Sequence, residues 1–118
     1  MNEIKIGVVG YGSIAEKHIK LIKKIYPKSD IKILKHKKNK KFQSRLNFFY
    51  KDKLFFKNKF DYIFLCNPCT RHIEYLQKSI KYKVKNIFVE KPISNNFNEI
   101  KKFQKKYFKF KNKILVGY

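Results

Sequence analysis

Gly10-Tyr11-Gly12-Ser13-Ile14-Ala15 is the stretch on which the reading of this chain turns. Before it, residues 4–9 run Ile, Lys, Ile, Gly, Val, Val. They are β-rich and mostly apolar, the pattern of a strand buried on both faces of a parallel sheet. After it, Ile14, His18, Leu21, Ile22 and Ile25 recur at helical spacing until Pro27 stops the pattern. Between strand and helix, three small residues each have a task. Gly10 permits a tight bend, Gly12 removes a side chain that would hold a ligand off the backbone, and Ala15 lets the helix pack close to the strand. The N–H groups at the helix start then face a pyrophosphate. A glycine pattern alone is weak, and its place between a strand and a helix gives it weight.

The same alternation continues along the chain. Residues 31–34 form a short apolar strand, followed by a Lys-rich loop over 35–41. Residues 47–50 offer a brief third strand and 51–59 a short helix or turn. A clear strand returns at 60–66 and ends at Pro68. Thr70 is placed to cap the next helix, whose stripe is Ile73, Leu76 and Ile80, with Glu74 four residues before Lys78. A strand at 86–90 closes at Pro92. A last helix over 94–110 carries Phe97, Ile100, Phe103, Gln104 and Tyr107 on one side, with Asn95 or Asn96 as its cap, and a strand at 113–117 finishes the pattern. Strands alternating with helices in this way imply right-handed crossovers and a single α/β domain: a doubly wound parallel sheet between two helical layers.

The 118 residues leave room for one domain. No apolar run approaches the roughly 20 residues that cross a bilayer, and the N-terminus is a strand pattern rather than a targeting segment, so the expectation is a cytoplasmic protein with no membrane partner. The formal net charge of +22 would ordinarily point to nucleic acid. Here only Arg45 and Arg71 are arginines, the lysines are spread along the whole chain, and the sole alanine is Ala15. A preference for residues with A/T-rich codons accounts for that composition, and base or phosphate readers lean on arginine forks. No specific nucleic-acid partner is expected. The charge should still speed encounters with anionic ligands such as a dinucleotide.

Further candidates lie at the ends of the strands. An acidic residue after the second strand usually holds the adenosine ribose hydroxyls. Asp30 has the right count from the glycines but precedes that strand, at the opposite edge. The correct edge carries Lys35, His36, Lys37 and Lys38, which suit a 2′-phosphate and favour NADP over NAD, unless they reflect composition alone. Cys66-Asn67-Pro68-Cys69 has dithiol redox spacing between a strand and a helix. It falls on the fourth strand, away from the start of the fold, and reads better as a backbone ledge under a cofactor. Two cysteines exclude a disulfide framework and fall short of the four ligands of structural zinc, so no metal is expected. Glu90-Lys91-Pro92 closes the fifth strand at the same edge. There Lys91 could hydrogen-bond a substrate hydroxyl, with Glu90 orienting it and Pro92 fixing the turn, or the segment is an ordinary strand end.

Taken in order, Gly10 to Ala15 with His18, then Asn67-Pro68-Cys69-Thr70-Arg71-His72, then Glu90-Lys91-Pro92, and the ending Val116-Gly117-Tyr118, resemble the N-terminal domain of the Gfo/Idh/MocA oxidoreductases. The resemblance spans essentially the whole chain. It implies a Rossmann-type NAD(P) site and hydride transfer at a carbon bearing a hydroxyl on a sugar, inositol or nucleotide-sugar. The cofactor-binding set it implies, with the residues read above, is Gly10, Tyr11, Gly12, Ser13, Ile14, Lys35, His36, Cys66, Asn67, Pro68, His72 and Glu90, and the catalytic candidate is Lys91. Family members continue into a second α/β domain that builds the substrate pocket and supplies the catalytic histidine. Residues 1–118 correspond to the cofactor domain alone, so the expectation is a domain inactive by itself, completed by a separately encoded half or by oligomerisation. The alternative is a non-catalytic nucleotide-sensing or scaffold module.

Overall fold

The computed structural model describes residues 3–35, 47–107 and 113–117. Six strands, β1 (Lys5–Val9), β2 (Asp30–Leu34), β3 (Asn47–Phe49), β4 (Tyr62–Leu65), β5 (Asn86–Val89) and β6 (Lys113–Val116), alternate with α1 (Ser13–Ile25), α2 (Asp52–Phe56), α3 (His72–Lys81) and α4 (Phe97–Tyr107). They form one sheet in the order β3-β2-β1-β4-β5-β6, parallel at every pairing. The strand order reverses beside β1, whose Val8 lies opposite Ile33 on one side and Phe64 on the other. A crevice therefore opens at the carboxyl ends of β1 and β4.

Right-handed crossovers put helices on opposite faces when the chain walks in opposite directions across a sheet. The core follows that rule. On one face Ile6, Val8, Ile31 and Ile33 pack under Ala15, Ile19 and Ile22 of α1. On the other, Val9, Leu34, Ile63, Leu65, Ile87 and Val89 meet α2, α3 and Phe103 of α4. The α1 layer stops short. On its face β4, β5 and β6 present Tyr62, Phe64, Phe88 and Leu115, and α1 meets them at its edge, where the His18 ring packs on Phe64 and Phe88. Tyr62 is 43% and Leu115 64% exposed, and the strands line a shallow groove of about 200 Å³. No helix among the described residues is long and apolar enough to cross a membrane.

Three local expectations change. The apolar stripe read along α1 holds only in part: Ile22 is buried and His18 half-buried, but Ile14, Leu21 and Ile25 are exposed, and Ala15 and Ile19 complete the buried side. The helix is apolar on two sides, and Ala15 selects the side that meets the sheet, because only a methyl group fits the close approach. Thr70 does not cap α3. It lies inside a 3-10 turn, Cys69–Arg71, whose Arg71 N–H donates to Pro68 O at 2.9 Å, and no side chain caps the helix that follows. In α4 Asn96 is the cap, its Oδ1 accepting from the N–H groups of Asn98 and Glu99 at 3.0 and 3.2 Å, while Phe97 points outward, 68% exposed.

Candidate functional site

The carboxyl edge of the sheet is stitched by backbone bonds that carry each loop onto its neighbouring strand. The N–H of Gly10 donates to Leu34 O, that of Cys66 to Val9 O, that of Glu90 to Leu65 O and that of Gly117 to Val89 O. The turns after β1, β4 and β5 are thereby fixed side by side along one edge.

Gly10 and Gly12 differ in what requires them. Gly10 has φ +91°, and a Cβ there would lie 2.9 Å from the backbone N of Asn67. The fold itself demands glycine at this position. Gly12 has φ −107°, open to any residue, and a Cβ would meet nothing within 4 Å. Packing gives no reason for glycine there, whereas a ligand resting on the backbone does. Gly12 is also the N-cap of α1 and offers no side chain to its first-turn N–H groups, so these donors and the positive end of the helix point into the open space above it. Beside them, Nδ2 and Oδ1 of Asn67 are buried with no hydrogen-bond partner. Unmet polar atoms of that kind are costly unless something polar completes them. An uncapped helix start, a bare backbone and an unmet amide suit the phosphates and amide groups of a dinucleotide.

The flanking residues assemble around this opening. Tyr11 packs edge-on against Phe48 at 5.2 Å, and Lys35, at the end of β2, holds its Nζ 5.9 Å from the Tyr11 ring centroid. Ser13 and Ile14 are exposed in the first turn of α1. His36, Lys37 and Lys38 lie outside the described residues. Asp30 begins β2 at the far edge, its N–H on Ile4 O and its carboxylate on Lys32 Nζ at 2.8 Å, away from the crevice as its position in the sequence requires.

His72 is 1% exposed, and its two ring nitrogens lie 2.7 Å from Asn67 O and 2.8 Å from Pro92 O. It ties the loop after β4 to the loop after β5 from beneath. Cys66 is half-buried, and burial, then the Glu90 carboxylate, pushes its thiol up to about 12. That is the reverse of the activated thiolate that dithiol redox chemistry needs. Pro68 is exposed at the lip of the crevice.

Glu90 and Lys91 take different directions. The Glu90 carboxylate accepts from His18 Nε2 at 2.6 Å, reaching across the sheet to α1. Lys91 is exposed at the same edge, ahead of the cis bond to Pro92. Sequence reasoning placed His18 on the helix stripe and missed this pairing. A polar ring among the aliphatic residues of that stripe was the only signal for it.

Behind the edge lies an ion network: Arg71 Nε and Nη2 donate to the two Glu74 oxygens, each at 3.0 Å, and Lys78 donates to Glu74 at 3.0 Å and to Asp52. Tyr75, fully buried, donates its hydroxyl to Asp52 at 2.9 Å.

Several solved structures share the fold. The WlbA dehydrogenase of Bordetella pertussis, in complex with NADH and UDP-GlcNAcA, superposes with a TM-score of 0.81 at 17% identity over 98% of this chain and 37% of its own. GenD2 from gentamicin A biosynthesis, in complex with NAD, gives 0.81 at 14% identity over 99% of this chain and 35% of its own. The WlbA (WbpB) dehydrogenase of Thermus thermophilus, in complex with NAD and alpha-ketoglutarate, gives 0.75 at 19% identity over 97% of this chain and 41% of its own. The chain thus spans between about a third and two fifths of the structures it matches. No curated protein sequence matches it. The model of the oxidoreductase family GFO_IDH_MocA, NAD-binding Rossmann fold, matches residues 4–118, and the chain belongs to that family as its NAD-binding domain.

Proposed function

We propose that this domain holds NAD(P) across Gly10 to Ile14 and the Cys66-Asn67-Pro68 ledge, as the cofactor half of a dehydrogenase acting on a hydroxyl of a sugar, inositol or nucleotide-sugar. The carrying observation is the open backbone at Gly12 above the uncapped start of α1. In this reading the α1 amides bind the pyrophosphate, the Asn67 amide meets the nicotinamide end, and His72 and Glu90 hold the two loops in place. When bound, the nicotinamide supplies the hydride acceptor. Lys91, exposed at the same edge, hydrogen-bonds the substrate hydroxyl and orients its carbon. Lys35 beside Tyr11 supports NADP over NAD, since an ammonium at the end of β2 complements a 2′-phosphate.

Hydride removal from an alcohol also needs a proton acceptor. Of the two histidines among the described residues at this edge, His18 is engaged by Glu90, and the ring nitrogens of His72 face two backbone carbonyls. Catalysis in this reading depends on a substrate-binding partner domain that brings the base. The apolar face of β4, β5 and β6 beyond α1, where Leu115 is 64% exposed, supports such a partner.

Calorimetric titration with NADPH and NADH tests the reading. Both should bind saturably, NADPH more tightly, without turnover of sugars by the chain alone. Gly12→Asp should abolish binding while leaving the thermal melt in place, since nothing in the fold packs against that position. Undiminished binding in Gly12→Asp would sink the proposal, and equal affinities would remove the NADP preference.

A further inference from the structure

Three side chains from distant parts of the sequence converge beside the crevice. His18 comes from the second turn of α1, Cys66 from the residue after β4, and Glu90 from the residue after β5. Each is half-buried, and one imidazole nitrogen, one sulfur and one carboxylate oxygen all lie within 4.8 Å of one another. The His18 ring is held by aromatic neighbours, with Phe64 at 5.5 Å and Phe88 at 5.3 Å between ring centroids. Loop positions are fixed as well, because the backbone N–H groups of Cys66 and Glu90 are bonded to Val9 and Leu65. A hydrogen bond between His18 and Glu90 accounts for two of the three groups and leaves the sulfur beside them unexplained.

We propose that His18 Nε2, Cys66 Sγ and a Glu90 oxygen form a three-ligand site for a divalent cation of the zinc class, its fourth position open to water. Nitrogen, sulfur and carboxylate oxygen together match zinc, whereas magnesium and calcium take oxygen ligands almost exclusively. Binding forms one metal bond to each side chain. Cys66 gives its thiol proton to solvent, and His18 ligates through Nε2 as a neutral ring with its proton on Nδ1, exchanging the hydrogen bond to Glu90 for the metal. No group changes oxidation state. The site shares Cys66 and Glu90 with the proposed cofactor ledge but not Gly12, so a cobalt spectrum read without cofactor and NADPH binding read in Gly12→Asp test the two proposals separately.

Cobalt is the optical probe for this site. The metal-free chain is titrated with Co²⁺ and the complex is then challenged with Zn²⁺. One equivalent of Co²⁺ should produce thiolate-to-cobalt charge-transfer absorption together with the visible bands of a four-coordinate ion, and Zn²⁺ should erase both. Cys66→Ser should remove the charge-transfer band, His18→Gln should weaken cobalt binding roughly tenfold or more, and Cys69→Ser should match the parent. Absence of the band in the parent chain, its survival in Cys66→Ser or its loss in Cys69→Ser would each overturn the assignment. Circular dichroism accompanies each variant. If Cys66→Ser does not fold, Glu90→Gln is read in its place, and it should keep the band while binding cobalt roughly tenfold more weakly. Unchanged affinity in Glu90→Gln would then overturn the assignment.

Discussion

The two faces of the sheet are built to different ends. On one, α2, α3 and α4 cover β1, β2, β4 and β5 and bury Phe55, Tyr75, Leu76, Ile87 and Val89 almost completely. On the other, α1 covers β1 and β2 and reaches β4 and β5 through His18, and past it the strands leave Phe64 and Phe88 half-buried and Leu115 largely in water. Since burial of apolar area is the main favourable contribution to folding, the first face carries most of the domain's stability. The second carries the contacts that remain to be made: the open helix start and the bare apolar strands. Cohesion and binding are divided between opposite sides of a sheet one residue thick.

The sharpest way to break that division is to cut equivalent side chains on each face. Leu76→Ala, at a fully buried position on α3, should lower the unfolding free energy by about 2–5 kcal/mol in denaturant melts. Leu115→Ala, on β6, should cost less than about 0.5 kcal/mol. Comparable losses at the two sites would show that the α1 face is closed in solution. At the seam between the faces, Gly10→Ala should destabilise by about 1–3 kcal/mol, because it forces a side chain into the left-handed region and against the Asn67 backbone. A melting temperature equal to that of the parent would remove the strain argument and with it the contrast to Gly12.

The smallest effect concerns the ion network on the helical face. Glu74 is held below the usual carboxylate range by its hydrogen bonds to Arg71 and then to Lys78, against an opposing push from burial. A lowered folded-state pKa means stability that is present above the unfolded carboxylate pKa and lost as pH falls through the folded one. Glu74→Gln should therefore flatten the acid side of the stability profile. The change should stay below about 1 kcal/mol, since the pair is solvent-exposed and screened. A profile in Glu74→Gln parallel to that of the parent would remove Glu74 from the acid response.

Much of this architecture is legible in the residues, and the exceptions have physical causes. Strands such as Lys5–Val9 announce themselves because a strand covered on both faces needs a continuous apolar run. Gly10 and Ala15 likewise show their purpose, since few residues fit where backbone meets backbone. The phase of α1 does not follow from periodicity, because Ile14, Leu21 and Ile25 make a second stripe as apolar as the buried one. Counting from Ala15 adds Ile19 to Ile22 and drops the other three isoleucine and leucine positions. Thr70 looks like a cap, yet a cap needs its helix to start at the next residue, and the chain leaves Pro68 through a 3-10 turn instead. The contacts of His18 with Glu90 and of His72 with Pro92 join segments that only the closed sheet brings together, so no local pattern encodes them.

The buried ring of His72 has a mechanical consequence. Because one imidazole spans the carbonyl oxygens of Asn67 and Pro92, the ledge under the crevice and the segment carrying Lys91 cannot shift independently. The two segments are therefore positioned against one common ring rather than each against its own strand alone.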